Sequence, residues 1–287
     1  MKLASKIKKI LVLVASCCPL IGAERLLAQD LEISPPAPEA YQPFVLTFSV
    51  CHVPQDPAHV DIYTSADSIT VKATEFDITC SLVEKVAKIE GLPGGSYSIK
   101  RGSYLVENMD YAEDPDPEIL GSVAVAPAPP IIRVYAFYHP DINHYFVTGS
   151  TAERDSLLSG GGGGGWGIVD EGFDAWPAAG PAPDAAKPVC RFYSAAVNSH
   201  FYTAGPNECE LLKQPSSGWT YEGIAFRALV PTKGSCYPGT TPVWRLYNDR
   251  FAQADSNHRF VASADTYRHM MANGWIGEGV AFCSPES

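Results

Sequence analysis

Apolar and polar residues alternate over short runs between residues 43 and 126, a pattern typical of β-strands with one buried face. Residues 44–50 read Phe-Val-Leu-Thr-Phe-Ser-Val, so every second side chain falls on the same side of an extended chain. Similar runs, separated by turns that contain Pro or Gly, follow at residues 60–63, 68–73, 86–89, 96–100 and 122–125. About seven short strands of this spacing predict an immunoglobulin-like or fibronectin-like β-sandwich over residues 29–126.

A different pattern begins after the Pro-rich linker at residues 127–132, and it occurs three times. Each copy opens on a strand of aromatic and aliphatic residues, continues through a second strand and a short helix, and reaches a Trp followed by Glu-Gly. The copies span residues 133–177, 188–231 and 242–285. A unit of about 50 residues cannot bury its own apolar face, so the copies must stack on one another.

The repeats also predict the architecture of the C-terminal domain, residues 133–287. We expect four strands and one short helix in each repeat. Three such units can remove exposed sheet edges by closing around an axis, and a β-trefoil-like barrel is the familiar solution. The alternative is a propeller-like ring of small blades. In both cases the fold is mostly β.

The three helices have recognisable start and stop signals. Ser150 and Glu153 form a capping box, Pro206 suits a first turn, and Ser263 can cap the third helix. A glycine that can take the left-handed conformation follows each helix, at Gly160, Gly218 and Gly274.

The N-terminus has the pattern of a secretory signal peptide, because lysines precede an apolar run from Ile10 to Ala23. We expect cleavage after Ala28, with Ala23 as the alternative, which assigns residues 1–28 to the signal. Cys17 ends a run similar to a bacterial lipobox, so lipid anchoring at this cysteine is a second alternative. The protein is therefore expected to be secreted, periplasmic or at the cell surface, without a transmembrane segment.

Charge narrows the range of partners. The formal net charge is −11, and loss of residues 1–28 removes five basic residues and one acidic residue, which leaves −15. Such an acidic protein repels nucleic acids and anionic membrane surfaces. The remaining candidate partners are cell-wall or surface glycans and envelope proteins.

Six cysteines remain after signal cleavage, an even number that fits disulfides in an oxidising compartment. The four in the repeats allow three connectivities, and spacing alone does not decide among them. No short Cys-x-x-Cys or Cys/His spacing for zinc is present, so no metal site is expected. The favoured pairs are Cys51–Cys80, Cys190–Cys209 and Cys236–Cys283.

Three residue types recur at matching positions and are the candidates for ligand binding. Aromatic faces beside amides and carboxylates are commonly used in sugar recognition. The tyrosines end the first strand, the asparagines lie three residues before a Phe, and the glutamates precede a Gly. The candidates are Tyr138, Tyr193, Tyr247, Asn143, Asn198, Asn257, Glu171, Glu222 and Glu278.

Each type has a structural alternative. The asparagines can shape the turn between the first two strands. The glutamates can pair with Arg191 and Arg245 on the first strand, although Ala136 replaces the arginine in repeat one. The recurring tryptophans can be part of the core: Trp166, Trp219 and Trp275.

Enzymatic activity is not expected. The chain has no Gly-x-Ser-x-Gly elbow, His-Glu-x-x-His helix, phosphate loop or dinucleotide fingerprint, so no catalytic residue and no cofactor is assigned. A carboxylate copied three times indicates scaffold or multivalent binding rather than an asymmetric catalytic pair. Aligned on the Phe, His144 and His258 share a register and His200 lies one position later. A hydrolase that uses His144 or His258 is the less favoured alternative.

Several phrases resemble a known family. Residues 190–193 (Cys-Arg-Phe-Tyr), 200–203 (His-Phe-Tyr-Thr) and 218–226 (Gly-Trp-Thr-Tyr-Glu-Gly-Ile-Ala-Phe) are similar to a triple-repeat module, the domain-of-unknown-function family numbered 5648. Residues 144–148 and 258–262 depart from its second phrase. The resemblance covers residues 133–283 and implies a secreted accessory module with a glycan-binding or wall-binding role. It assigns no catalytic residues.

These observations lead us to expect a secreted, non-catalytic binding protein that recognises cell-wall or cell-surface polysaccharide through repeated aromatic sites. The alternative is a structural or protein-interaction module of the cell envelope.

Overall fold

The computed structural model describes residues 31–52, 60–74, 81–107, 110–113 and 118–286. The chain divides into two compact units, residues 1–127 and 128–287. Both consist mainly of β-strands, so the predicted fold class is confirmed at that level. The predicted signal peptide, Cys17 and the predicted Cys51–Cys80 bond fall outside the described side chains.

The strands of the N-terminal unit form two sheets. In one sheet β2 lies between β1 and β5, and both neighbours are antiparallel to it. In the other the order is β3-β4-β6-β7, β8 also pairs with β6, and only β4 and β6 run parallel. The strands are β1 (Leu31–Ser34), β2 (Phe44–His52), β3 (Val60–Thr64), β4 (Ser68–Thr74), β5 (Ser81–Ile89), β6 (Gly95–Glu107), β7 (Asp110–Glu113) and β8 (Glu118–Val125).

One hydrophobic core joins the two sheets of this unit. Phe44, Leu46 and Phe48 alternate along β2 and are at most 1% exposed. Ile69 and Val71 on β4 of the other sheet belong to the same cluster. The alternation in the sequence therefore marks the faces that the two sheets turn toward each other.

Each repeat of the C-terminal unit contains three strands and one α-helix, so the prediction of four strands is wrong. The segment after the helix is a single strand, because a β-bulge at Glu-Gly lets the ladder continue where two strands were expected. The elements are β9 (Ile132–His139), β10 (His144–Thr148), α1 (Thr151–Leu158), β11 (Gly167–Ala175); β12 (Lys187–Ser194), β13 (Ser199–Thr203), α2 (Pro206–Leu212), β14 (Thr220–Ala228); β15 (Thr240–Tyr247), β16 (His258–Val261), α3 (Ala264–Ala272) and β17 (Ile276–Pro285).

The same topology occurs in all three repeats. The first strand is central, the second pairs with it as a hairpin, and the third returns antiparallel on its other side. These sheets are separate and open, and none of the described sheets closes into a barrel. Short 3₁₀ turns lie at Pro215–Ser217 and Phe251–Gln253.

A shared core holds the three sheets together. Phe173, Phe226 and Phe282 occupy equal positions on the third strands, and their ring centroids are 5.5, 6.0 and 5.7 Å apart. All three rings are at most 2% exposed. Backbone bridges add links between successive repeats, from Trp176 to Arg227 and from Leu229 to Cys283. The requirement that the repeats stack on one another is met in this way.

The predicted helix signals are present in the coordinates. The hydroxyl of Ser150 accepts from the backbone N–H of Glu153, and that of Ser263 accepts from Thr266, both at 3.2 Å. Pro206 occupies the first turn of α2. Left-handed glycines follow each helical segment, with φ of 97°, 76° and 94° at Gly160, Gly218 and Gly274.

The four described cysteines of the repeats form the two favoured disulfides. Cys190 on β12 bonds Cys209 on α2, which ties the helix of repeat two to its sheet. Cys236 bonds Cys283 on β17, which closes repeat three. The first bond stays within repeat two, whereas the second joins the connector before repeat three to the last strand of that repeat.

Candidate functional site

The recurring Glu-Gly step places a carboxylate at a bulge of the third strand. In β14, Arg191 of β12 faces Gly223 and the next residue of β12 faces Tyr221, so Glu222 is the extra residue. The same irregularity occurs around Glu278 in β17. A bulge turns its extra side chain away from the regular alternation. Gly223 and Gly279 provide the positive φ, 112° and 87°, that this backbone requires.

Arg191 brings carboxylates from two repeats together. Its Nε lies 2.8 Å from Oε2 of Glu222 in the same repeat. Its Nη1 donates at 2.8 Å to Oε2 of Glu153, which lies on α1 of repeat one. The Arg191 side chain is 19% exposed, so two carboxylates compensate a largely buried cation at the junction of repeats one and two.

A neutral imidazole and a phenol complete the polar side of this junction. His200 lies with Nε2 3.3 Å from Oε2 of Glu222. Burial, and then the charge of Arg191, lower the pKa of His200 to about 4. The opposing charge of Glu153 is too small to reverse this effect, and the neutral ring can still donate its Nε2 hydrogen. The Tyr193 ring packs on the imidazole at 4.9 Å.

Aromatic residues of repeat one form the opposite wall. The Phe146 ring lies 4.8 Å from His200 and 6.0 Å from Trp166. Arg191 stacks over the same ring, 5.6 Å from its centroid. Together these residues line an open cleft of about 350 Å³, with Trp166 and Glu153 on one side and Tyr193 and Glu222 on the other. We name it the first cleft.

The junction of repeats two and three repeats these side-chain contacts, and we name this set of residues the second cleft. Arg245 lies 2.7 Å from Glu278 and 3.8 Å from Glu208 on α2. Burial, and then the charge of Arg245, lower the pKa of His258 to about 3. The wall of the second cleft consists of Phe201, which lies 4.9 Å from His258.

The junction of repeats three and one carries different chemistry. Ala136 stands where the other repeats have arginine, and Thr266 stands where helices α1 and α2 have glutamate. Tyr145 occupies the place of the histidine, and Arg259 lies over its ring at 4.3 Å. The Trp275 ring contacts Tyr145 at 5.8 Å. The cation and its cross-repeat carboxylate are thus lost together at this junction.

Comparison with known families fits this repeated architecture. The family model described as "Domain of unknown function (DUF5648)" matches residues 133–285. The chain belongs to the DUF5648 family. No curated protein and no solved structure matches it.

Strand pairing in the DUF5648 unit corrects the predicted register of the histidines. Tyr193 pairs with His200 and Tyr247 pairs with His258, so these two imidazoles occupy one repeated position. His144 instead pairs with His139 and corresponds to neither. The alignment on Phe260 failed because the hairpin loop of repeat three spans residues 248–257 and shifts the second strand by one residue.

The candidate asparagines do not form one repeated site. Asn143 and Asn198 take positive φ, 54° and 46°, at the hairpin turns, and they accept hydrogen bonds from Tyr138 and Tyr193. Asn257 is fully buried, and its side-chain oxygen and nitrogen have no hydrogen-bond partner among the described residues. Asn143 and Asn198 therefore shape the hairpin turns of their repeats, whereas Asn257 does not.

Among the remaining candidates, the tyrosines and two glutamates lie at the junctions. Tyr138, Tyr193 and Tyr247 are half-buried, so each leaves part of its ring accessible. The Glu171 side chain lies outside the described atoms. The recurring tryptophans are also half-buried and pack against the edges of the core clusters. They are Trp166, Trp219 and Trp275.

His144 has a structural rather than a catalytic environment. Its Nδ1 donates to the backbone carbonyl of Asn198, and its Nε2 lies 2.9 Å from Oδ1 of Asp255. Burial opposes ionisation of Asp255, but hydrogen bonds from Arg250 and His144 outweigh it and lower the pKa. One imidazole, 4% exposed, therefore connects the hairpins of all three DUF5648 repeats.

Glu153 and Glu208 were missed by sequence reasoning, although a signal for them exists. From repeat one to repeat three, the helix position reads Glu, Glu, Thr and the strand position reads Ala, Arg, Arg. When each helix residue is matched with the strand residue of the following repeat, every glutamate pairs with an arginine. The pattern of charged residues therefore indicates that the helix of one repeat packs against the central strand of the next repeat.

Within the described parts of the chain, no helix is long and apolar enough to cross a membrane.

Proposed function

We propose that this protein is a secreted, non-catalytic binding protein that recognises cell-wall or cell-surface polysaccharide through the clefts between its DUF5648 repeats. The observation that supports it is the first cleft, where Trp166 and Tyr193 flank the Arg191–Glu222 pair. Sugar rings need an apolar face and hydrogen-bonding groups at their edge, and this cleft offers both.

The electrostatics of the cleft support binding over catalysis. Arg191 pairs with Glu222 at 2.8 Å, so the guanidinium occupies a carboxylate oxygen that a general acid or base would need free. His200, with a pKa of about 4, is a weak base at neutral pH. The same set recurs in the second cleft, and repetition of this kind suits multivalent binding.

The finer architecture is part of the proposal. Two sheets around one core support an immunoglobulin-like sandwich as the N-terminal unit. Three separate sheets around the Phe173, Phe226 and Phe282 rings support the ring of small blades over a single β-trefoil-like barrel. Two disulfides in the repeats support export to an oxidising compartment.

The test is binding of the mature chain to purified peptidoglycan and to a glycan array. We expect retention that falls when Tyr193 and Tyr247 are both replaced by alanine. A folded protein that ignores all glycans but crosslinks to an envelope protein would instead support the structural or protein-interaction alternative. Turnover in a wall-lysis assay would contradict a non-catalytic role.

A further inference from the structure

We infer that the repeat unit carries two equivalent sugar-binding clefts rather than three, and that each cleft selects uncharged polyhydroxylated ligands over anionic ones. This inference rests on the proposed function and defines its valency and ligand class.

The equivalence of the two clefts follows from matched contacts. In each, an arginine that is 19% exposed holds the bulge carboxylate of its own repeat, at 2.8 Å for Arg191 and 2.7 Å for Arg245. In each, the imidazole contacts the phenylalanine of the preceding repeat, at 4.8 Å for His200 and 4.9 Å for His258. The tyrosine on the central strand packs on that imidazole at 4.9 Å in both clefts.

Among the side chains that the structure describes, the third junction has no such set. Ala136 and Thr266 remove the arginine and its cross-repeat carboxylate together. Arg259 replaces the wall phenylalanine, covers the Tyr145 ring and donates to its hydroxyl at 3.2 Å. Trp275 packs its ring against the same tyrosine. The groups that line an open cleft at the other junctions are here used to hold the first and last repeats together.

The ligand class follows from the charges. In the first cleft one arginine faces two carboxylates, Glu153 and Glu222, and His200 is neutral, so these four side chains together carry one more negative than positive charge. A carboxylate or sulfate on the ligand would meet this excess negative charge in a partly desolvated site. Hydroxyl groups, in contrast, can donate to the carboxylate oxygens and accept from the guanidinium without displacing the ion pair.

The matched tryptophans provide the test of valency. Trp166 and Trp219 contact the wall phenylalanines at 6.0 and 5.9 Å, whereas Trp275 contacts Tyr145 at the third junction. We expect chitohexaose or cellohexaose to bind the mature protein with a stoichiometry of two by calorimetry. Trp166→Leu and Trp219→Leu should each reduce it to one, the double variant should lose binding, and Trp275→Leu should retain two sites.

Circular dichroism shows whether the tryptophan variants fold. A second set of variants tests the number of sites in case they do not. Tyr193→Ala and Tyr247→Ala should each remove one site, and Tyr138→Ala should remove none. For selectivity, cellohexaose is compared with its C6-oxidised form, in which each primary alcohol is a carboxylate. We expect the oxidised form to bind at least roughly tenfold more weakly.

The outcomes separate the two levels of the proposal. One or three sites, equal effects of the three tryptophan variants, or preference for the oxidised hexamer would overturn the inference while leaving glycan binding in place. Retention on peptidoglycan without binding of either uncharged hexamer would do the same. Absence of binding to any glycan or wall preparation would refute the proposed function and the inference with it.

Discussion

Acidification should destabilise the repeat unit through the two buried imidazoles of its clefts. The pKa values of His200 and His258 are lowered to about 4 and about 3, first by burial and then by the adjacent arginines. In the unfolded chain a histidine takes up a proton near pH 6.5. Below that pH the unfolded state binds more protons than the folded state, so the free energy of unfolding falls as the pH falls.

The size of the effect follows from the two shifts. At pH 4 each imidazole of the unfolded chain is charged, whereas the pKa of each folded ring lies about two units or more below that of the unfolded chain. Each unit of difference in pKa corresponds to about 1.4 kcal/mol. The loss is therefore about 3 kcal/mol for each histidine, or about 6 kcal/mol together. A domain that is stable by about 5–15 kcal/mol would lose much of its margin.

Urea unfolding at pH 7 and pH 4 measures this loss directly. All five tryptophans of the chain are in the repeat unit, at positions 166, 176, 219, 244 and 275, so tryptophan fluorescence reports on that unit alone. His258→Gln removes the titrating group but keeps an N–H donor toward Glu278. We expect this variant to lose about 3 kcal/mol less than the wild type between the two pH values, and the double variant with His200→Gln about 6 kcal/mol less.

The control is His269→Gln, on the exposed face of α3, which should leave the pH dependence unchanged. Equal pH dependence of the wild type and the double variant would refute the assignment of His200 and His258 as buried neutral imidazoles. It would also remove the charge argument for uncharged ligands.

The remaining predictions concern stability and are all measured by urea unfolding of the oxidised protein. Replacing Cys236 and Cys283 by alanine should cost about 4 kcal/mol, because the bond closes a loop with a sequence separation of 47, and an unchanged midpoint would contradict this. Arg191→Met should cost about 3 kcal/mol by leaving two carboxylates unpaired, whereas Arg268→Met on a 70% exposed side chain should cost less than about 0.5 kcal/mol. Gly223→Ala should cost about 1 kcal/mol from its φ of 112° alone, since an added methyl group meets no atom within 4 Å, and a neutral effect would argue against the bulge.

Features decided within one repeat were predictable from the sequence. The Ser150 and Ser263 caps depend on neighbours three residues away, and the glycines after the helices depend only on their own φ. The favoured pairing of Cys190 with Cys209, 19 residues apart within repeat two, is also present, although spacing alone left three connectivities open. Recurrence of Arg191 and Glu222 on adjacent strands was sufficient to predict their ion pair.

Features decided between repeats were not predicted. The long hairpin loop of repeat three changes which residue faces Tyr247, and no local pattern marks that one-residue shift. The contact from Glu153 to Arg191 joins residues 38 positions apart on different repeats. It becomes predictable only when the order of packing around the axis is known. The number of strands was overcounted for a related reason, since a bulge and a turn look alike in a Gly-containing sequence.

The position of the altered junction has a physical explanation. Repeats one and two are joined by chain continuity and by the Trp176–Arg227 bridge, and repeats two and three by continuity and the Leu229–Cys283 bridge. The first and last repeats share no linker, so side chains must provide more of the adhesion at their junction. A cleft with a net charge of −1 contributes little adhesion, because its ion pairs also cost desolvation.

The substitutions at the third junction supply that adhesion. The Trp275 ring and the Arg259 guanidinium enclose the Tyr145 ring, and His144 bonds Asp255 across the hairpins. These contacts close the ring of repeats but occupy the surface that a ligand would need. Under the proposed function, two clefts and one adhesive junction are therefore the arrangement expected of a single chain that packs its first repeat against its last and leaves sites open. Trp275→Leu should therefore lower the free energy of unfolding while leaving the binding stoichiometry at two.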